Sequence, residues 1–279
     1  MSAVCVNGIT LAYDDTGSGE TTLVLVHGHP FNRSMWRPQL EAFGQLGGNV
    51  APQTEEKSGW RIIAPDLRGY GESSVVSGKT TLDVFARDIA ALLDLLAVAK
   101  IVIGGLSMGG QIVMEFCRLY PQRVRGILLA ATFPRAETEE GKMNRAAMAD
   151  RLLREGMDGY AEEMLPKMLA PGSIAALPSV AEHVRCMMRG TNPFGAAAAL
   201  RGRGERPDYE DTLACLNVPG LIVVGDEDAF TTRADAERMQ ALLRGSELVW
   251  MKGVGHMPNL EREVEFNRAV ERWLGRVVE

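Results

Sequence analysis

The sequence predicts an α/β protein built on a mostly parallel β-sheet that is covered by helices on both faces. Three observations lead to this fold class. Short apolar segments rich in Val, Ile and Leu alternate with longer segments whose apolar residues recur at helical spacing. Within the short segments polar residues do not alternate with apolar ones, which is typical of strands buried on both faces. The alternation stops near residue 133 and resumes near residue 219, and no buried strand pattern appears in residues 134–207 between them.

The predicted elements begin with a β-hairpin. Its strands, 4–6 and 9–13, flank Asn7-Gly8, a pair that strongly favours a two-residue hairpin turn. The next predicted elements are strand 21–26, helix 34–43, strand 60–65, helix 82–98, strand 101–103, helix 111–119 and strand 124–131. Residues 44–59 show no periodicity and are predicted to form a mobile surface loop.

Residues 134–207 lack a buried strand pattern and are predicted to form a helical cap. The helical segments predicted there are 139–154, 157–169, 179–189 and 195–200. The elements predicted after them are strand 219–224, helix 232–243, strand 247–251 and helix 261–277. We therefore expect a core domain made of residues 1–133 and 208–279, with the cap 134–207 inserted after the sixth strand.

Composition narrows the classes of partner. The formal net charge is −6 and no cluster of Lys and Arg forms a stripe, which argues against nucleic acid as the main partner. The N-terminus has no secretory pattern, no apolar run approaches the length of a membrane span, and the four cysteines are scattered without metal-ligand spacing. We expect a cytoplasmic monomer or homodimer that acts on a small molecule without a metal or cofactor.

The pentapeptide Gly105-Leu106-Ser107-Met108-Gly109 joins a predicted strand to a predicted helix. A tight turn of this kind brings the chain so close to itself that a Cβ at either glycine would clash. The turn lifts the Ser107 hydroxyl clear of the sheet and exposes the first free amides of the helix beside it. In a chain with 30 glycines the pattern can also occur by chance, so its surroundings must decide.

Polar residues also follow the ends of other predicted strands. Asp226 and Asp228 follow the seventh strand, His256 follows the eighth, and His27-Gly28-His29 follows the third. Because ligands gather at the carboxyl ends of parallel strands, these residues are expected to meet. A serine hydroxyl needs a base that removes its proton, and the base needs an acid that orients it.

The order serine, acid, histidine resembles that of the α/β-hydrolase family. The resemblance covers nearly the whole chain and includes a His-Gly-x-Pro loop at 27–30, an Asp-x-x-Gly-x-Gly-x-Ser loop at 66–73 and a Gly-x-Gly-His turn at 253–256. It implies an α/β-hydrolase fold with an eight-stranded sheet and a helical cap. Serine at the turn resembles the serine-nucleophile branch, which includes carboxylesterases and lactonases of the 3-oxoadipate enol-lactonase and acyl-homoserine lactonase types.

The resemblance also implies roles for individual residues. The acid of the family lies three residues after the glycine that ends the strand, which favours Asp228 over Asp226. The oxyanion hole is implied to consist of the backbone amides of His29 and Met108. The segment 201–208 is typical of the lactonase-like members, although no chemistry is assigned to it.

The implied reaction is hydrolysis of a carboxylic ester or lactone through an acyl-enzyme on Ser107, with His256 as the base. A carbon–carbon bond hydrolase, a perhydrolase and an acyltransferase would use the same residues, and a noncatalytic ligand-binding protein of this fold is the alternative from a different class. The substrate is expected to be small and apolar. The side chains predicted to line its pocket, each of which core packing explains about as well, are Phe31, Phe133, Met164, Phe194 and Phe230.

Overall fold

The computed structural model describes residues 2–17, 19, 21–44 and 60–278, and its centre is a single eight-stranded sheet. The strands are β1 (Ser2–Val6), β2 (Ile9–Asp15), β3 (Thr21–Val26), β4 (Trp60–Pro65), β5 (Ile101–Leu106), β6 (Val124–Ala130), β7 (Gly220–Gly225) and β8 (Glu247–Met251). Asn7 and Gly8 form the turn between β1 and β2, both with positive φ.

The strand order in the sheet is β1-β2-β4-β3-β5-β6-β7-β8. The pairs β1–β2 and β2–β4 are antiparallel, and all other neighbouring strands are parallel. The chain leaves β3 toward one edge of the sheet and later returns to place β5 on the other side of β3. The carboxyl ends of β3 and β5 therefore form the switch point at which α/β sheets bind ligands, with Val26 paired to Gly105.

Helices cover both faces of this sheet. They are α1 (Arg37–Phe43), α2 (Leu82–Leu95), α3 (Met108–Leu119), α4 (Glu139–Glu155), α5 (Asp158–Met168), α6 (Pro171–Ala176), α7 (Pro178–Gly190), α8 (Pro193–Arg203), α9 (Glu210–Cys215), α10 (Arg233–Leu242), α11 (Pro258–Glu261) and α12 (Glu263–Val278). One apolar core joins the sheet to α2, α3, α9 and α10, and a second joins its other face to α1, α5, α7 and α12. The predicted fold class is confirmed.

Helices α4 to α8, residues 139–203, all lie between β6 and β7 in the chain, and we call them the helical insertion. The division into a core domain of 1–133 and 208–279 and a cap domain of 134–207 stays a prediction. Among the described residues, no helix combines the length and the apolar composition that a membrane span requires.

The main differences from the sequence prediction are at element boundaries. Strand β5 continues through Gly104 to Leu106, because it lies between two strands and the Leu128 side chain packs against Gly104. Helices α6, α9 and α11 were not predicted, since helices of four to six residues have too few periodic positions to be recognised. The predicted loop 44–59 lies outside the described residues except for Gly44.

Candidate active site

Ser107 lies at the apex of the turn between β5 and α3. Its backbone has φ 57° and ψ −118°, a conformation that is unfavourable for a residue with a side chain. Two hydrogen bonds hold it there. Its N–H donates to the Ala130 carbonyl over 2.9 Å, and its carbonyl accepts from the Thr132 hydroxyl over 2.8 Å. The end of β6 and the residues after it therefore support the strained turn.

Two glycines allow this turn to form. A Cβ on Gly105 would lie 2.4 Å from backbone atoms of Gly109, and a Cβ on Gly109 would lie 2.2 Å from the carbonyl oxygen of Val26. Both obstacles are backbone atoms, so neither can move aside as a side chain could. The turn that carries Ser107 is thus packed directly against the end of β3.

The loop after β3 is held against the same turn. A Cβ on Gly28 would lie 2.9 Å from the Leu106 carbonyl oxygen and 3.3 Å from the Cβ of Ser107. The His27 ring braces the loop, since its Nδ1 donates to the Gly28 carbonyl over 2.8 Å and its Nε2 accepts from the Leu67 N–H over 2.9 Å. This contact fixes the position of the next amide, that of His29.

The two amides predicted to form an oxyanion hole are both free to donate. Met108 is the first residue of α3, so its N–H has no acceptor within the helix. Neither the N–H of Met108 nor that of His29 donates a hydrogen bond to any described residue. The Met108 side chain packs in the apolar core, so its backbone amide is the group that can contribute to the site.

Asp228 and His256 form a hydrogen-bonded pair. His256 Nδ1 lies 2.9 Å and 3.0 Å from the two carboxylate oxygens of Asp228, and Oδ1 of this carboxylate also accepts from the amides of Phe230 and Thr231. Burial opposes ionisation of Asp228, but the His256 ring and these two amides outweigh it and lower the pKa of the carboxyl. Asp226, in contrast, accepts from the Gly253 N–H over 2.6 Å and supports the loop.

The loop that carries His256 depends on a buried residue that sequence reasoning missed, Glu261. Its carboxylate accepts from the amides of Gly255 and Met257, on either side of His256, and from the amide of Ala170 after α5. The His256 amide donates to the Met168 carbonyl over 3.1 Å. The sequence offers no signal for Glu261, since its position at the start of a predicted helix is an ordinary place for an exposed acid.

A cavity of about 330 Å³ lies between the sheet and the helical insertion. The residues that line it are His29, Ser107, Ala131, Thr132, Phe133, Arg145, Tyr160, Met164, Met168, Leu200, Arg203, Ala229, Phe230 and His256. The structure thus brings Ser107, His256 and His29 to one space, with Asp228 bonded to His256 outside the lining. Ser107 makes no hydrogen bond to His256 in the described chain, and such contacts often tighten only when substrate binds.

Three of the five predicted pocket side chains line this cavity: Phe133, Met164 and Phe230. Phe31 is not among the lining residues, because its side chain turns inward and is fully buried in the core beside Gly28. Phe194 is not among them either, since it lies in the first turn of α8 with 54% of its surface exposed. The prediction of pocket-lining roles therefore finds no support at these two positions.

The polar part of the cavity wall was also missed. It includes two arginines, Arg145 from α4 and Arg203 from the end of α8, together with Tyr160 from α5. The expectation of an apolar pocket therefore describes only part of the wall. Arg203 lies in segment 201–208, which is typical of lactonase-like members of the family but for which no chemistry was predicted.

The side chain of His29 faces the same cavity. Its Nδ1 lies 2.7 Å from the Tyr70 hydroxyl, which has no other partner among the described residues, so we assign this hydroxyl as the donor. Burial and the positive charges of Arg203 and Arg145 hold the pKa of His29 well below its usual range. The ring is neutral, and its remaining proton lies on Nε2.

Comparison with known proteins shows the family of this chain. Residues 23–269 match the model of the alpha/beta hydrolase family. The chain belongs to the alpha/beta hydrolase family. Both the predicted family and the predicted fold class are confirmed.

The chain is similar to several members of known activity. It is 37% identical to a thermophilic esterase from Thermogutta terrifontis whose structure was solved with malate bound, with a TM-score of 0.91 and 99% of each chain covered. It is 27% identical to 3-oxoadipate enol-lactonase 2 of Acinetobacter baylyi, covering 86% of this chain and 83% of the relative. It is also 27% identical to a 2-hydroxy-6-oxononadienedioate/2-hydroxy-6-oxononatrienedioate hydrolase of Burkholderia vietnamiensis, over 95% and 90% of the two chains. Hydrolase activity is the property these relatives share.

Several groups of the described residues at this site can react with a carbonyl compound. Within the part of the chain that the structure describes, no cluster of three or more His, Cys, Asp and Glu side chains is placed to hold a metal ion. The Ser107 hydroxyl and the His256 imidazole, which is paired with the Asp228 carboxylate, line the cavity, and Met108, whose amide is free, follows Ser107 directly in the chain. This set can attack a carbonyl carbon and stabilise the negative charge that develops on its oxygen.

Proposed function

We propose that this chain is a serine hydrolase that cleaves a carboxylic ester or lactone of a small substrate. The observation that carries the proposal is the shared cavity, in which Ser107 and the His256–Asp228 pair meet beside two amides without acceptors. The similarity to an esterase and to an enol-lactonase supports the same bond type.

The reaction follows from this arrangement. Ser107 Oγ attacks the carbonyl carbon while its proton passes to His256 Nε2, and the amides of His29 and Met108 stabilise the oxyanion. His256 then gives the proton to the leaving oxygen, the C–O bond breaks, and the acyl group remains on Ser107. Water, deprotonated by His256, releases the acid and restores the enzyme. Asp228 holds the His256 ring and stabilises its positive charge throughout.

The test is the Ser107→Ala protein with 4-nitrophenyl butyrate as substrate. We expect wild type to show a burst of nitrophenol followed by steady turnover, and the variant to lose at least about 10⁴-fold in kcat because no acyl-enzyme can form. Ser77→Ala, at an exposed position, is the matched control and should behave as wild type. Turnover by Ser107→Ala at a rate near that of wild type would contradict the proposal.

A second candidate is hydrolysis of a carbon–carbon bond, favoured by the similarity to the 2-hydroxy-6-oxononadienedioate hydrolase. Its reaction would use Ser107, His256 and Asp228 on a ketone, such as the 6-oxo group in the name of that relative's substrate. Comparing kcat/KM for such a ketone with that for an ester or lactone of similar size separates the two, since the better substrate identifies the bond.

Acyl transfer and perhydrolysis remain further uses of the same acyl-enzyme. Product analysis in the presence of an alcohol, and separately of hydrogen peroxide, distinguishes them from hydrolysis because each acceptor yields a different product. A noncatalytic ligand-binding protein would instead show binding without a burst of nitrophenol.

We also propose that the protein acts in the cytoplasm as a monomer or homodimer. The four cysteines are all free, and three of them, Cys5, Cys186 and Cys215, are exposed. Exposed free thiols are typical of proteins from reducing compartments.

A further inference from the structure

The basic part of the cavity wall carries more positive charge than the protein neutralises. Arg145 and Arg203 both line the cavity, and no Asp or Glu is among the lining residues. Close to them lies Arg206, whose side chain is buried and whose guanidinium stacks at 5.1 Å on the ring of Phe133. We call Arg145, Arg203 and Arg206 the arginine cluster. Arg135 stacks on the same ring, but it is paired with Asp235 over 2.7 Å and is not counted in the cluster.

One carboxylate serves this cluster, that of Glu137. It accepts from Arg145 and, over 2.6 Å, from Arg206. Arg203 has no such partner: its Nε donates to the neutral amide oxygen of Gln111 over 2.7 Å, and it forms no ion pair with any described residue. Its two terminal nitrogens make no hydrogen bond within the described chain. Arg203 is half-buried and faces the cavity without an anionic partner among the described residues, so its terminal nitrogens are available to an anionic ligand.

The neighbouring polar atoms are donors without acceptors. His29 is 5% exposed, and its Nε2, which carries the ring proton, has no hydrogen-bond partner among the described residues. The Tyr160 hydroxyl, whose ring lies edge-on to His29, makes no hydrogen bond in the described part of the chain either. A wall made of unpaired donors fits a ligand group that only accepts hydrogen bonds.

We propose that Arg203, with Arg145 beside it, binds a carboxylate of the substrate, so the enzyme prefers esters or lactones that carry a free acid group. Glu137 offsets only one of the three guanidinium charges, and Arg203 is the arginine without an ion pair, so a negatively charged group of the ligand is favoured there. The planar guanidinium can also bind a carboxylate through two parallel hydrogen bonds. This inference rests on the proposed function, since it names the substrate class of the same site.

The test compares two esters with acyl chains of equal length, 4-nitrophenyl hydrogen glutarate and 4-nitrophenyl pentanoate. They differ in a terminal carboxylate against a methyl group. For wild type we expect kcat/KM for the glutarate to exceed that for the pentanoate by about tenfold or more. Arg203→Met should lower this ratio by about 30- to 100-fold, mainly through KM for the glutarate, because a charged bidentate contact is lost.

Two further variants sharpen the result. Arg203→Lys keeps the charge but loses the planar fork, so its ratio should lie between those of wild type and Arg203→Met. Arg201→Met is the matched control on the same helix, because Arg201 pairs with Asp150 over 2.6 Å and does not line the cavity. It should keep the wild-type ratio. If Arg203→Met fails to fold by circular dichroism, the ratio measured for Arg203→Lys decides.

A wild-type ratio near one, or an unchanged ratio in the Arg203 variants, overturns the carboxylate site. In that case the proposed function is still supported if the hydrolysis of these esters is lost in Ser107→Ala. If wild type hydrolyses neither ester, the proposed function fails, and binding of glutarate measured by calorimetry decides the carboxylate site alone. Binding to wild type that weakens at least about tenfold in Arg203→Met supports it, whereas equal or absent binding overturns it.

Discussion

Asp226 and Asp228 show how two identical side chains in one turn differ in function. Asp228 is bonded to His256 through both carboxylate oxygens, and its side chain is fully buried. Asp226 is exposed and bonds only to a backbone amide of the neighbouring loop. The family resemblance favoured Asp228, and its role as the catalytic acid stays a prediction that the geometry supports.

Asp228→Asn is expected to lower kcat with 4-nitrophenyl butyrate on the order of 10³- to 10⁴-fold, because an amide neither stabilises the charged His256 ring nor holds its tautomer. Steady-state kinetics measures the loss. Asp226→Asn is the matched control, two residues away with the same change in charge, and should stay within about threefold of wild type. Equal losses in the two variants would refute the assignment.

At the scale of the element, the turn from β5 to α3 and the loop after β8 are built differently. The turn is held by close backbone packing at its glycines, so its sequence pattern is visible. The loop that carries His256 is held by hydrogen bonds to the carboxylate of Glu261, five residues further along the chain. A carboxylate that accepts from several amides is a strong anchor, but nothing in its spacing distinguishes it from an exposed acid.

Glu261→Gln should destabilise the fold by about 2–4 kcal/mol, because the new NH₂ group faces buried amides that lose their acceptor. We also expect kcat to fall about tenfold or more with KM nearly unchanged, since His256 shifts while the rest of the cavity stays. Urea unfolding and steady-state kinetics measure the two effects. Glu263→Gln, an exposed neighbour at the start of α12, serves as control and should change neither. Wild-type kcat in Glu261→Gln would refute the positioning role.

At the scale of the whole molecule, the helical insertion is attached to the rest of the chain around the cavity. The Thr191 hydroxyl donates to the Pro30 carbonyl over 2.8 Å, and the Thr80 amide donates to the Ala198 carbonyl over 3.0 Å. A Cβ on Gly202 would lie 1.7 Å from the Thr80 carbonyl oxygen, so α8 depends on a small residue at this contact. The cavity is thus assembled from two segments that are distant in sequence.

Glu137, just before the helical insertion, forms ion pairs with Arg145 inside it and with Arg206 just after it. These ion pairs make the stability of this region sensitive to acid. Burial opposes the charge of Glu137, but Arg145 and Arg206 lower the pKa of its carboxyl from 4.5 to about 2. Since the pKa is lower in the folded state, its contribution to stability is complete above about pH 4.5 and is lost as the pH falls toward 2.

Glu137→Gln should therefore lower the free energy of unfolding at neutral pH by about 1–2 kcal/mol, a value reduced for screening by solvent. The difference from wild type should stay constant down to about pH 4.5 and shrink below it. Urea unfolding of both proteins over this pH range measures it. Glu140→Gln, on the exposed surface of α4, is the control. A difference that does not change below pH 4.5 would contradict the ion pairs as its cause.

Much of the fold could be read from the sequence, because its signals are local. A β-branched run, a helical period and the Asn7-Gly8 pair each depend on neighbours in the chain, and Trp60–Pro65 and Glu247–Met251 are strands with the predicted bounds. The glycines around Ser107 belong to the same class, since each marks a backbone that a Cβ would obstruct. The order of motifs predicted Ser107, Asp228 and His256 as the triad, and these roles stay predictions that the hydrogen bonds of His256 and the shared cavity support.

The substrate side of the cavity was decided by tertiary structure. Arg203 bonds to Gln111, 92 residues away, and Glu137 bonds to Arg206 across 69 residues. Whether an arginine faces solvent or a cavity depends on how helices pack, which no spacing along one segment encodes. The same reason explains the two phenylalanines that were wrongly expected to line the pocket. Phe31 is buried in the core, and Phe194 is exposed to solvent. Sequence therefore predicted the candidate reacting groups, because their motifs are local, whereas the packing of distant segments decided which charges surround them.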